Sequence, residues 1–270
     1  MRFICPKCRG KLNICESGVL CESGHCFDRA RFGYYNLLLG TGGGVHGDNR
    51  EMILARRAFL AEGHYEPLAS RLAALVLEHT APGGALLDAG AGEGYYTDFI
   101  ERALASRDGK SDVSAFDISK DAVREICKKN SAISAVVAGS YHMPLPDGEV
   151  DTVINTFSPL ALEETLRVLK PGGIFIMAIP GEEHLFDLKK VIYDTPYKNT
   201  VEDTALDGFE LLADESLCYQ INLDTKEAIQ SLFMMTPYAY RTSAVGRARV
   251  LALDALRCTA DFRIFVYRRI

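Results

Sequence analysis

Apolar and polar positions follow two different periods along this chain, and the change from one to the other marks its elements. From residue 85 onward, short continuous apolar runs alternate with stretches whose apolar residues recur every three or four positions. The runs predict strands at 85–89, 113–118, 134–138, 150–155 and 174–179, and the intervening stretches predict helices near 94–106, 120–129 and 160–169. Residues 144–148 and 170–173, rich in Pro and Gly, read as turns. That rhythm predicts a mostly parallel sheet with helices on both faces. Further on, residues 209–223 read as strand-rich, 225–235 as a helix and 261–268 as an alternating strand. An antiparallel hairpin closing the sheet is the natural place for those two strands. Upstream, Met52, Ile53, Ala55, Ala58 and Phe59 predict a helix over 49–60, and Leu68, Leu72, Leu75 and Val76 form the inner face of another over 65–78.

The first 37 residues follow neither period. Short β-like pieces at Phe3-Ile4 and Val19-Leu20 are expected to pair, each leading into a cysteine turn. The spacing Cys5-x2-Cys8-x12-Cys21-x3-His25 fits four tetrahedral ligands around one zinc ion, with Cys26 a rival for the fourth position. Five of the eight cysteines fall within the first 26 residues, which points to metal rather than disulfides in a reducing compartment. A core this small should need its metal to fold. The glycine-rich stretch at 40–48 reads as a linker, with a loop ordered by substrate as the alternative. Three parts follow: a zinc ribbon over 1–37, a linker with helices over 38–78, and a cofactor-binding domain over 79–270.

Composition narrows the class. Hydrophobic residues make up 48% and charged residues 24%, as expected of a globular protein. With no apolar stretch near the roughly 20 residues of a membrane span, and no signal peptide at the start, a cytoplasmic protein without membrane contact is expected. The net charge is −6, yet residues 1–57 carry nine Lys/Arg against five Asp/Glu, or +4, leaving −10 on the remainder. The basic end therefore stays compatible with a nucleic-acid partner.

Asp88-Ala89-Gly90-Ala91-Gly92-Glu93-Gly94 follows a predicted strand and opens a predicted helix. The glycines let a ligand lie against the backbone. Asp117, with Ile118, ends the next strand, where a carboxylate can accept ribose hydroxyls. A dinucleotide site would show G-x-G-x-x-G and offer a helix N-terminus to pyrophosphate. Here the spacing is G-x-G-x-G with Glu93 inside the loop, which suits the sulfonium and ammonium groups of S-adenosylmethionine better than NAD. The expected fold is an α/β, Rossmann-like S-adenosylmethionine-dependent methyltransferase fold, its seven-stranded sheet joined to the zinc ribbon. A methyltransferase acting at C5 of a pyrimidine would need an attacking cysteine, and none stands at the end of the 150–155 strand. Asn155 and Phe157 stand there instead: Asn155 could touch base or cofactor and Phe157 could stack on a flipped base, or both could merely shape the sheet edge.

The chain as a whole resembles the bacterial 23S ribosomal RNA guanine-N1-methyltransferases. The resemblance rests on the ribbon spacing running into Gly33-Tyr34-Tyr35-Asn36-Leu37-Leu38, on Gly47-Asp48-Asn49 and Ala55-Arg56-Arg57-Ala58-Phe59-Leu60, on Gly63-His64-Tyr65, and on Gly92-Glu93-Gly94-Tyr95-Tyr96-Thr97. It continues through Pro180-Gly181-Glu182-Glu183-His184 to Thr259-Ala260-Asp261-Phe262. It implies zinc on Cys5, Cys8, Cys21 and His25, and cofactor contacts from Tyr65, the Gly92-Glu93-Gly94 loop and His184. It also implies a guanine in a domain II hairpin of 23S ribosomal RNA as substrate, a homodimer, and a branch that includes tylosin-resistance enzymes. Two other readings compete: a zinc-capped small-molecule methyltransferase, and a non-enzymatic zinc-ribbon RNA-binding factor.

Overall fold

Three short antiparallel strands open the chain: β1 (Leu12–Ile14), β2 (Gly18–Cys21) and β3 (Cys26–Asp28). They belong to a computed structural model that describes residues 2–40, 47–110, 112–201 and 204–270. The expected pairing of Phe3-Ile4 with Val19-Leu20 is not the one found. Val19 lies between Ile14 and Phe27, and Ile4 forms a single bridge with Lys11. The reason is the cysteine turn itself. The Cys5 N–H bonds Gly10 O at 2.8 Å and the Arg9 N–H bonds Cys5 O at 2.8 Å, so the chain doubles back and Lys11 is the nearest partner.

Among the described residues, eight further strands form one sheet: β4 (Tyr35–Asn36), β5 (Ala85–Ala89), β6 (Asp112–Asp117), β7 (Ser134–Val137), β8 (Val150–Thr156), β9 (Leu169–Pro180), β10 (Phe209–Leu223) and β11 (Leu256–Arg269). Their order is β10-β11-β9-β8-β5-β6-β7-β4, parallel from β9 to β4 and antiparallel at β10 and β11. The late hairpin thus closes the sheet as expected. The eighth strand is β4, two residues long and too short to give a periodic signal. The expected turn at 170–173 lies within β9, where the pairing jumps from Val150–Leu169 to Thr152–Ile174.

The helices are α1 (Arg50–Ala61), α2 (Glu66–His79), α3 (Tyr95–Asp108), α4 (Lys120–Lys129), α5 (Leu162–Val168), α6 (Phe186–Ile192), α7 (Lys226–Met234), α8 (Tyr238–Arg241) and α9 (Ala244–Leu251). Alternate strand residues divide between two cores. Leu86, Ile154 and Ile176 pack with Leu68, Leu72 and Val76 of α2, whereas Leu87, Val153 and Phe175 pack on the opposite side. The ribbon contributes Phe3, Leu12 and Val19 to that second core. Burying each such side chain stabilises the fold by about 2 kcal/mol. Arg2 reinforces it by pairing with Asp112 and Glu149, and the Ile4 N–H bonds Pro144 O at 2.9 Å.

β5 has β6 on one side and β8 on the other, so the chain order reverses there and a crevice opens at the carboxyl ends of the strands. Residues 41–46, most of the expected linker, lie outside the described residues. Gly47 presses on the end of β6, where a Cβ would come within 2.6 Å of the Ile118 side chain. Among the described residues, no helix is long and apolar enough to cross a membrane.

Candidate active site and metal centre

The ribbon turns converge four ligand atoms. One sulfur or nitrogen each from Cys5, Cys8, Cys21 and His25 lie within 4.8 Å of one another. His25 Nδ1 is 3.5 Å from Cys5 Sγ and 3.4 Å from Cys21 Sγ, and Cys8 Sγ is 3.5 Å from Cys21 Sγ. Zinc bonds of roughly 2.3 Å to sulfur and 2.0 Å to nitrogen give tetrahedron edges of about 3.5–3.8 Å, so the donor set fits that ion. The Gly10 backbone N–H, followed by the Ser23 and His25 side chains, pulls the Cys8 thiol down to about 6, which favours the thiolate a metal requires. Cys26 is exposed on β3 and outside this group.

The glycine loop joins β5 to α3 at the switch point. Gly90 has a φ of 82°, and a Cβ on it would meet Ser158 Oγ at 2.0 Å. Gly94, at φ 78°, caps α3 and lets Ile126 approach to where a Cβ would be 2.8 Å away. The N–H groups of Gly90 and Ala91 both bond Phe116 O, tying the loop to β6. Asp117 accepts from the N–H of Gly92 at 2.9 Å and of Ser119 at 2.8 Å. Ile118 is the next residue along this edge.

Two carboxylate oxygens in this crevice are buried without a hydrogen-bond partner: Asp88 Oδ1 and Glu93 Oε2. The other oxygen of Asp88 accepts from Thr97 Oγ1 at 2.5 Å. Burial raises the Asp88 carboxyl to about 7, against the Thr97 hydrogen bond, and the Asp117 charge adds to the rise. Glu93 and Asp117 are also raised, in both cases mainly by burial. Buried acids that each keep one oxygen without a hydrogen bond, at the turn of a glycine loop, suit a ligand that brings positive charge. S-adenosylmethionine, with its sulfonium and ammonium, meets that description.

The opposite wall is aromatic. Tyr65, at the start of α2, is buried and faces His184, with its hydroxyl 3.3 Å from His184 Nε2. His184 Nδ1 accepts the Asp261 N–H at 3.3 Å, so the neutral ring carries its proton on Nε2 and donates to Tyr65. Burial lowers the imidazole to about 3, and the Lys189 charge adds to the effect. The His184 loop is fixed from below: Gly181 N–H bonds Asp261 O, Glu183 N–H bonds Asp261 Oδ2, and the Asn199 amide donates to Gly181 O and His184 O.

Phe157 lies between these walls. It has a φ of 58° and is 40% exposed, with ring centroids of Phe262, Tyr96 and His184 at 5.6, 6.2 and 6.3 Å. The His184 ring is stacked at 25° to it. Asn155 is buried and its amide donates to Pro159 O at 3.4 Å, which ties the turn that presents Phe157. Glu183 pairs with Lys198. The structure thus gathers Asp88, Gly90, Gly92, Glu93, Gly94, Asp117, Ile118, Tyr65, His184, Asn155 and Phe157 along one crevice, with the metal group apart on the ribbon. Sequence reasoning missed Tyr96, Phe262, Arg56 and Asp48 as parts of it. Tyr96 directly follows the loop in a Tyr-Tyr pair, a signal that was available, whereas a lone Arg on a helix offers none.

Two family models match the chain: the one described as "RlmA, N-terminal" over residues 3–39, and the one described as "Methyltransferase domain" over residues 87–177. The 23S rRNA (guanine(748)-N(1))-methyltransferase of Streptomyces fradiae is 30% identical, over 92% of this chain and 89% of its own. Proteins of Micromonospora griseorubida and Bacillus subtilis, provisionally named 23S rRNA (guanine-N(1)-)-methyltransferases, are 33% and 31% identical over 98% of this chain and 97% and 94% of theirs. Among solved structures, the YcgJ protein of Bacillus subtilis shares the fold at a TM-score of 0.50 and 13% identity, over 74% of this chain and 97% of that one. From its ribbon to its closing hairpin, this chain belongs to the family of 23S rRNA (guanine-N1)-methyltransferases.

Proposed function

We propose that this protein transfers a methyl group from S-adenosylmethionine to N1 of one guanine in a domain II hairpin of 23S ribosomal RNA. The observation that carries the reading is the exposed Phe157 ring beside an acidic glycine loop. A flat base and a cationic methyl donor can meet between them. When bound, S-adenosylmethionine supplies an electrophilic methyl group on a sulfonium. Gly90, Gly92 and Gly94 shape the loop that lies against it, Asp88 and Glu93 answer its positive charge, and Asp117 with Ile118 frames its ribose. Tyr65 and His184 form the far wall as a neutral pair. Phe157 stacks the flipped guanine, and Asn155 holds the turn that carries it. Guanine N1 gains the methyl as its bond to sulfur breaks, which leaves S-adenosylhomocysteine, and the N1 proton passes to solvent, so positioning is the main task left to the protein.

Zinc on Cys5, Cys8, Cys21 and His25 gives the ribbon its fold and so its RNA-recognition surface. The family resemblance supports a homodimer and a cytoplasmic location, where ribosomal RNA is modified. Methylation at N1 blocks the Watson–Crick edge of guanine, which gives a direct test. Primer extension on unmodified 23S RNA incubated with protein and S-adenosylmethionine is expected to stop at one guanine of a domain II hairpin. Full-length extension through that hairpin, on both free RNA and ribosomal particles, would contradict the proposal.

A further inference from the structure

Arg56 of α1 reaches into the crevice from above the glycine loop. Its guanidinium pairs with Asp48 at 2.5 Å, lies 3.8 Å from the orphaned Glu93 Oε2, and donates to Met235 O at 3.4 Å. A Cβ added to Gly92 would sit 3.4 Å from Arg56 Nη1, so this cation lies directly against the open backbone. The neighbouring Arg57 turns the other way, to Glu125 at 2.8 Å.

The amino-acid end of S-adenosylmethionine carries three charges of two signs. Sulfonium and ammonium are answered by the acids of the loop, but those same acids repel the α-carboxylate. His184 is held neutral and has no charge to offer. A guanidinium presents paired N–H donors in the fixed geometry that matches a carboxylate. Arg56 already exchanges charge with two carboxylates of the chain, one of them at 3.8 Å and outside hydrogen-bond reach.

We infer that Arg56 recognises the α-carboxylate of the methyl donor and thereby sets the enzyme's preference for ligands with an intact amino-acid end. This inference rests on the cofactor reading above and extends it to a residue outside the glycine motif. Asp48 holds the guanidinium in place, and Asp48 is itself fixed because its carbonyl accepts from Ser119 Oγ at 2.9 Å. The end of the linker thereby becomes part of the cofactor site.

The test is calorimetric titration of the zinc-loaded protein with S-adenosylhomocysteine and with its decarboxylated analogue. The unaltered protein is expected to prefer the carboxylate-bearing ligand by about 10- to 100-fold, the range of a charge-assisted hydrogen bond. Arg56→Gln is expected to bind both ligands alike, at the affinity the unaltered protein shows for the decarboxylated one. Arg56→Lys is expected to recover part of the preference. Equal weakening of both ligands in a folded Arg56→Gln, or an undiminished preference, would overturn the inference. Should Arg56→Gln fail to fold, Asp48→Asn decides. It releases the guanidinium from its position, and S-adenosylhomocysteine should lose part of its advantage while the analogue is unchanged. A loss for both would assign the pair a structural role. If the unaltered protein bound neither ligand, the cofactor reading itself would fall.

Discussion

Phe157 is held at φ 58°, a region that costs a residue with a Cβ about 1–3 kcal/mol, and its ring remains 40% exposed. The Phe157 N–H bonds Ala178 O at 3.0 Å, so the surrounding sheet imposes the conformation. A position strained in that way, and still open to solvent, is expected to act on a ligand. Phe157→Gly should lose little in melting temperature, because relief of the strain offsets the lost ring packing. It should lose about 10-fold or more of its activity on RNA, as expected when one base–aromatic stack is removed. Thermal melts beside steady-state methylation assays check both halves. Asp88 gives a prediction in pH. Its carboxyl is raised to about 7 in the folded protein, so its contribution to stability is fully present below about 4 and lost as pH rises through 7. A cationic ligand favours the ionised form. S-adenosylmethionine should therefore bind more tightly as pH rises through 7, with proton uptake by the buffer below that pH. Asp88→Asn should flatten the profile, which calorimetry in buffers of different ionisation enthalpy would show.

At the scale of elements, the ribbon is less independent than its sequence suggests. Phe3, Leu12, Val19 and Cys21 share one core with Leu87, Phe116, Val153 and Phe175 of the sheet, and β4 extends that sheet beside β7. Removing zinc with a chelator is therefore expected to lower a single shared melting transition, as followed by calorimetry. Two separate transitions, with the upper one unmoved, would show that the ribbon folds without reference to the sheet. The strands and helices from β5 to β9 were legible because each repeats its own period over a full element, and the glycine loop was legible because its spacing is local. The β1–β2 register was not, since the turn after Cys5 decides it through backbone hydrogen bonds. Neither was β4, because two residues carry no period. The metal group could be read from spacing alone, while the Tyr65–His184 pair needed the resemblance, since its members lie 119 residues apart. The positive φ of Phe157 comes from the packing of β8 against β9, and no residue at 157 announces it.

For the molecule as a whole, a net charge of −6 has to coexist with a polyanionic substrate. The charges are distributed so that it can. Arg57, Arg124 and Lys128 share one carboxylate, Glu125, and Lys129 and Arg102 share Asp98. A cleft of about 290 Å³ between α1, α3 and α4 is lined by Arg57, Lys128 and Lys129 and reaches Glu93 of the loop. On the ribbon side, Phe32 lies between Lys128 and Arg31, at 5.1 and 5.8 Å from its ring centre. Basic groups interleaved with an exposed aromatic ring join the ribbon to the cofactor edge, the pattern expected of a surface that follows an RNA strand. The central claim, a methyl group moved to guanine N1 in 23S ribosomal RNA, can be tested in one measurement. Zinc-loaded protein is incubated with methyl-labelled S-adenosylmethionine and unmodified 23S RNA, free and in ribosomal particles, and the RNA is digested to nucleosides. Label in N1-methylguanosine is the predicted result. Label in any other nucleoside, or none in RNA from either substrate while S-adenosylhomocysteine binds normally, would contradict it.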